Sequence, residues 1–274
     1  MTDITNAISG IMGSTSLACW IVLLVPQLIE QWRLKSSDGI AIGFISIWFL
    51  GDVFNLIGSI WAGLLIQVVS LAVWFCIADF LMIFSFVYYK YIYVKKEEER
   101  PLMDRRRRTS STLTDIAVEP SYHGIIIKYV LPILFVFACG LLGFFISMPN
   151  SKDPEIPENP PNPPNDQIAL GPQLIGYLSA FLYLGARIPQ IIQNHQRKSV
   201  QGLSLLFFLF STFGNLTYAA QILFYRSDWN YIVLNLSWLL GSLGTIFEDS
   251  IIFLQFYVYK DNDHAIEHEE NEHA

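Results

Sequence analysis

Charge is thin in this chain. Lys and Arg together number 17 and Asp and Glu 24 in 274 residues, and long stretches carry none of them. Uncharged apolar runs near membrane-spanning length, about 20 residues, recur back to back. A soluble core has no need of such runs, so the composition points to a polytopic membrane protein. Cysteine is scarcer still: Cys19, Cys76 and Cys139 lie inside apolar runs, with no CxxC or CxxH spacing. They read as small packing residues, and neither a disulfide framework nor a metal site is expected. No basic segment precedes the first apolar run, which excludes a cleavable signal peptide. There is no nucleophile–base constellation and no phosphate-binding loop, so no enzyme, catalytic residue or cofactor is expected. The net charge of −7 is gathered in two acidic stretches, Asp153 to Asp166 and Asp261 to Glu272, and offers nothing to a nucleic acid.

The apolar runs predict an all-α protein of seven transmembrane helices, near 8–31, 39–62, 65–91, 124–148, 170–194, 202–225 and 229–259. Helix is the expectation throughout, because a segment in lipid must satisfy its own backbone. Basic residues set the orientation. Arg33 and Lys35 follow the first run, a cluster from Lys90 to Lys128 lies around the loop after the third, Arg197 and Lys198 follow the fifth, and Lys260 follows the last. The opposite side has only Lys152 and Arg226, with Arg187 left inside a span. The N-terminus is therefore expected outside or lumenal and the C-terminus cytosolic. The run Arg105 to Arg108 suits anionic lipid of the cytosolic leaflet, or serves only to set topology. Glu98 with Leu102-Met103 loosely matches a sorting signal for adaptors in the 92–123 loop.

The chain also repeats itself. A shift of 163 residues aligns Pro26-Gln27 with Pro189-Gln190, Lys35-Ser36 with Lys198-Ser199, Gly39 with Gly202 and Gly51-Asp52 with Gly214-Asn215. After Tyr225 the register becomes 170, and Asp79 then falls on Asp249 and Tyr89-Lys90 on Tyr259-Lys260. Shared hydrophobicity does not explain matches at such positions. Each unit has an odd number of helices, so a second copy in the same orientation needs one extra crossing, supplied by the fourth helix. The expected architecture is 3-1-3, two parallel triple-helix-bundle repeats. Its parts are a first repeat at 8–91, a cytosolic charged linker at 92–123, an inverting linker helix at 124–148, a lumenal Pro-rich loop at 149–169, a second repeat at 170–260 and an acidic cytosolic tail at 261–274. Parallel repeats of this kind occur in transporters with a midplane site.

The paired PQ dipeptides, the KSSDG and KSVQG turns, GDVFNLIG and GSLGTIFEDSIIFLQF resemble the PQ-loop family, and within it the vacuolar and lysosomal cationic amino-acid transporters of fungi and animals. The resemblance covers both repeats. It implies multi-pass location in a vacuolar or lysosomal membrane, a small cationic amino acid (lysine, arginine or histidine) and protons as ligands, and proton-linked or exchange transport.

Pro26 and Pro189 each leave a carbonyl, of Val22 and Gly185, without its helical donor. Either the pair is a hinge in each bundle, with Gln27 and Gln190 bonding freed carbonyls or a polar path, or both are static kinks. Pro132 has no counterpart and reads as a kink. Ionisable residues within spans are functional candidates by default. Here they are Asp52, Asp79, Glu248, Asp249 and Arg187, four acids to one base. Asp249 and then Asp79 are the first choices for holding a proton or a substrate ammonium or guanidinium group. Glu248 sits about 100° around its helix from Asp249, and either turns inward or meets a neighbouring helix or cytosolic water. Asp52 and Asn55 share a face, as do their counterparts Asn215 and Tyr218, and Asp52 is equally suited to a structural hydrogen bond. Asn235 and Trp238 lie toward the lumenal entrance. Arg187, near the cytosolic edge, can also snorkel. Two alternatives stand beside cationic amino acids: another small solute (cystine or sugar), or a seven-helix nutrient receptor signalling through its cytosolic loops.

Overall fold

The computed structural model describes residues 3–34, 42–93, 129–147, 169–200 and 204–259. The basic turn after the first helix, the charged linker from 94 onward, the start of the linker helix at 124–128, the Pro-rich loop up to 168 and the acidic tail lie outside the described residues. Everything described is helix or short connection. The α-helices are α1 (Asp3–Leu34), α2 (Ile42–Trp61), α3 (Ile66–Val87), α4 (Leu131–Ser147), α5 (Leu170–Arg197), α6 (Leu205–Tyr225), α7 (Trp229–Leu234) and α8 (Leu236–Val258). A π-helical turn, Tyr88–Tyr93, prolongs α3. Among the described residues, five stretches suffice by length and composition to cross a membrane: Ile4–Ile29, Ile66–Tyr91, Leu170–Arg197, Leu205–Tyr225 and Leu236–Val258. The apolar parts of α2 and α4 are shorter over the described residues, Ile45–Trp61 and Leu131–Ile146.

Local chemistry sets the helix ends. Ala62 and Gly63 turn the chain from α2 into α3, with Gly63 at φ 64°, a left-handed conformation that glycine adopts without a Cβ penalty. At the end of α5, Lys198 takes the left-handed cap (φ 52°), and the Lys198 and Ser199 amides both donate to the Asn194 carbonyl. Ser204 Oγ accepts from the Phe207 amide and opens α6. Asp228 caps α7 by accepting from the Tyr231 amide at 3.1 Å. The Arg226 side chain, 2.8 Å away, holds the Asp228 carboxyl below the usual carboxylate range.

One expected span is not continuous. The segment from 229 to 259 divides at Asn235, whose backbone (φ −95°, ψ 6°) leaves the helical region. Its amide side chain turns back to the Tyr231 carbonyl at 2.9 Å. Asparagine competes for local backbone in this way, so a short α7 precedes α8.

Packing reproduces the repeat. The main contacts of α3 are with α1 and α2, and those of α8 with α5 and α6, so in each triplet the third helix joins the other two. Across the triplets, α1 packs on α6 and α2 on α5, each first helix against the other unit's second. Small residues permit both crossings. A Cβ at Gly51 would lie 3.1 Å from Tyr183, and one at Gly214 3.0 Å from Trp20. Trp20 and Tyr183 are equivalent in the 163-residue register. The helix α4 packs on α1, where Gly140 and Gly143 meet Thr15 and Ser14.

Candidate functional site

Between the two triplets lies a cavity of about 90 Å³, lined from α1, α2, α3, α5, α6 and α8. That is several times the space one water needs. Equivalent positions of the two triplets line it together: Trp20 and Tyr183, Leu24 and Arg187, Asp52 and Asn215, Asn55 and Tyr218, Phe75 and Thr245. The repeat therefore builds one shared chamber, with different chemistry in each half.

The first half carries acid and aromatic surface. Tyr183 donates its hydroxyl to Asp52 Oδ1 at 2.5 Å. Asn55 Nδ2 reaches the Tyr183 hydroxyl at 3.4 Å, and Trp238 Nε1 donates to Asn55 Oδ1 at 2.9 Å. This chain of bonds joins α8, α2 and α5 and fixes Asp52 in place. The Asp79 carboxyl on α3 shares the cavity wall with that of Asp52, near enough for the two charges to oppose each other. Both residues are buried, 2% exposed for Asp79 and 4% for Asp52. Asp79 Oδ2 is buried with no hydrogen-bond partner among the described residues. Two carboxyl groups side by side and away from water call for a proton or a cation between them. Beside them, Trp20 and Phe75 pack edge to face at 4.9 Å and line the same cavity.

The second half carries a closed ion pair. Arg187 Nη1 meets Asp249 Oδ1 at 3.0 Å, with side-chain exposures of 7% and 0%. Ser211 accepts from Arg187 Nη2 at 2.9 Å and donates to Asp249 Oδ2 at 3.0 Å. Thr212 adds a bond to the same oxygen at 3.3 Å. The guanidinium lies between 5.5 and 6.0 Å from the rings of Trp48, Phe207 and Phe208. Arg187 thus turns inward to Asp249 and away from solvent.

Of the residues singled out from sequence, Asp52, Asn55, Asp79, Arg187, Asn215, Tyr218 and Trp238 line the cavity. Asn215 accepts from Ser242 at 3.2 Å and donates to the Ser211 carbonyl. Asp249 lies behind Arg187, outside the lining. Glu248 is buried next to this ion pair, also off the lining, and its Oε2 has no hydrogen-bond partner among the described residues. Asn235 is spent on the α7–α8 junction. Pro26 and Pro189 are inside the unbroken helices α1 and α5. Gln27 is half-buried, and Gln190 bonds to Asn194, which bonds to Gln255 at 2.8 Å. Gln190 thus follows a polar path instead of capping a freed carbonyl. Sequence reasoning passed over Tyr183, Trp20, Trp48, Phe75 and the Ser211-Thr212 pair. The internal alignment held a signal for two of them, since Tyr183 and Trp20 fall on each other four positions after Ser179 and Ser16.

A family model for the PQ loop repeat matches residues 8–68 and again 172–231. A vacuolar lysine transporter of Saccharomyces cerevisiae is 35% identical over 94% of this chain and 95% of its own length. The chain belongs to the PQ-loop family. A vacuolar histidine transporter of the same yeast is also 35% identical, over 92% of each chain. A vacuolar arginine/histidine antiporter from it is 28% identical over 92% of this chain and 84% of its own. Each PQ-loop match contains one PQ dipeptide and most of the first two helices of its triplet, so the doubled match coincides with the doubled packing.

Proposed function

We propose that this protein carries cationic amino acids (lysine, arginine and histidine) across a vacuolar or lysosomal membrane by alternating access. The observation that carries the reading is the Asp52–Asp79 carboxyl pair on an aromatic-walled cavity between two PQ-loop repeats. A buried acid pair without an internal base offers a countercharge to an ammonium or guanidinium group. Trp20 and Phe75 add faces for a cation, worth about 2 kcal/mol or more when desolvated. A proton is the alternative occupant, and competition between proton and substrate for one pair couples their movements. The names of the yeast relatives support lysine, histidine and arginine as substrates and the vacuole as the compartment.

The reading includes seven membrane crossings arranged 3-1-3, with α4 inverting the second triplet, α7 and α8 sharing the last crossing, the N-terminus lumenal and the C-terminus cytosolic. Reciprocal packing of α1 on α6 and α2 on α5 supports parallel repeats about an axis along the membrane normal. Pro26 and Pro189 supply a weakened turn in the first helix of each triplet, where each bundle bends. Membrane lipid surrounds the bundle, and the 92–123 loop is the route to sorting adaptors.

The test is transport by the purified chain in liposomes with an imposed pH gradient. Labelled lysine, arginine and histidine should accumulate in a gradient-dependent manner, unlabelled basic amino acids should compete, and cystine and sugars should not. Absence of flux for all three, or competition by sugar, defeats the reading.

A further inference from the structure

We infer that Arg187 receives the α-carboxylate of the transported amino acid, with Asp249 as the internal carboxylate that the substrate displaces. The inference rests on the transport reading above and assigns an orientation to the substrate within that site.

The cavity is polarised. Among the described residues, Arg187 is the one Lys or Arg in its lining, and the acids in that lining are Asp52 and Asp79. The repeat places Leu24 where the second half has Arg187, so the asymmetry is built into otherwise matching walls. Every basic amino acid carries a carboxylate as well as its cationic groups. A chamber of acids alone would hold the cations and repel the carboxylate, and would accept a plain diamine equally well. Arg187 supplies the missing pole.

Its present contacts suit exchange. A guanidinium is a planar fork of N–H donors matched to carboxylate, and Asp249 and Ser211 engage one Nη each. Asp249 stands outside the cavity lining while Arg187 stands within it, so the cation has an internal partner on one side and the chamber on the other. Ser211 and Thr212 bond Asp249 Oδ2 independently of Arg187. They hold Oδ2 of the Asp249 carboxylate in place when the guanidinium turns toward a substrate, and only Oδ1 gives up its ion pair. The rings of Trp48, Phe207 and Phe208 confine that motion.

The experiment compares substrate pairs that differ only in the carboxylate: arginine against agmatine, and lysine against cadaverine, by competition for labelled arginine in proteoliposomes. Wild-type protein should favour arginine over agmatine by about ten- to a hundredfold, the scale of one charged hydrogen-bonding contact. Arg187→Gln combined with Asp249→Asn removes both charges together, and should bring the ratio toward one. Asp249→Asn alone removes the competing carboxylate, and should raise the ratio. An unchanged ratio in the double variant overturns the assignment. If that variant does not fold, a ratio that fails to rise in Asp249→Asn overturns it equally. The two readings separate cleanly: a wild-type protein that carries no basic amino acid defeats the transport function, whereas one that carries arginine and agmatine alike defeats only the role of Arg187.

Discussion

Ser16 donates its hydroxyl to the Gly214 carbonyl at 2.9 Å, and its repeat equivalent, Ser179, does the same to the Gly51 carbonyl at 2.8 Å. Donors and acceptors are each separated by 163 residues, so one hydrogen bond is written twice with the units exchanged. The first ties α1 to α6 and the second α5 to α2. Both cross between the triplets beside a glycine that lets the helices close up. The two halves are thus fastened symmetrically along seams that flank the cavity.

Equivalence predicts equal effects. Ser16→Ala and Ser179→Ala should each cost about 0.6 kcal/mol, the average for an interhelical hydrogen bond within a membrane. The combined variant should cost their sum, as distant sites do. Thermal unfolding in detergent or bicelles measures all three. A loss several times larger at one site than at the other contradicts a symmetric seam.

The Arg187–Asp249 pair responds differently to single and paired removal. Arg187→Ala leaves a fully buried carboxylate with only Ser211 and Thr212, and should destabilise the fold by about 3–5 kcal/mol. Arg187→Ala with Asp249→Ala removes the stranded charge, and should cost less than Arg187→Ala alone. A double-mutant cycle of melting temperatures gives the coupling. Additive losses would mean that the two side chains do not sense each other.

Asp79 and Tyr183 separate function from support. Asp79→Asn keeps the shape of the side chain and removes its charge, so folding should change within the ordinary single-substitution range of about 0.5–3 kcal/mol. Transport of lysine and arginine should fall by at least about tenfold, since one charged contact is worth that much. Tyr183→Phe removes the hydroxyl that holds Asp52 and Asn55, and should weaken both stability and transport. Flux equal to wild type in Asp79→Asn would remove Asp79 from the site.

Sequence made the repeat, the apolar runs and most of the cavity's polar lining legible, because Asp52, Asn55, Asp79 and Asn215 are conspicuous in apolar surroundings. Pairing was not legible. Arg187 and Asp249 lie on helices whose facing sides no local spacing reveals, and the ranking that put Asp249 first could not register its counterion. Tyr183 was hidden for another reason: an aromatic residue in an apolar run looks like lipid-facing bulk until its hydroxyl is seen on Asp52. The break at Asn235 escaped hydropathy because a polar turn bonded to its own backbone leaves the surrounding run apolar.

The turn before α7 should tolerate acid. Arg226 holds the Asp228 carboxyl below the usual carboxylate range, so the folded state favours the ionised form relative to the unfolded chain. The sign follows from linkage: the contribution is complete above the unfolded value, about 3.9, and fades only as pH falls through the lower folded value. On the proposed lumenal side, this ion pair and cap therefore persist at the acidity of a vacuole. The loss of melting temperature in Asp228→Ala relative to wild type should be constant from neutral pH to about pH 5, above that window. A difference that vanishes between pH 7 and pH 5 contradicts the assignment.

On the C-terminal side of each proposed hinge, the third helix of the triplet holds the first. Beyond Pro26, the Tyr89 hydroxyl donates to the Trp32 carbonyl at 3.3 Å, and their rings pack at 5.8 Å. Beyond Pro189, the equivalent Tyr259 meets His195 at 2.9 Å, and Gln255 adds bonds to Asn194 and to the Ile191 carbonyl, both at 2.8 Å. Ser85, the counterpart of Gln255, bonds to the Met82 carbonyl on its own helix. At the second hinge, Tyr259 and Gln255 together clamp the end of α5 to α8. Gln255→Leu should release the end of α5, with faster amide exchange over residues 190–197 and unchanged exchange over 170–185. Pro189→Ala should act oppositely: a restored donor to the Gly185 carbonyl stiffens α5, raises stability by up to about 3 kcal/mol and slows transport. Unaltered transport in Pro189→Ala, with the added stability present, would make that proline a static kink.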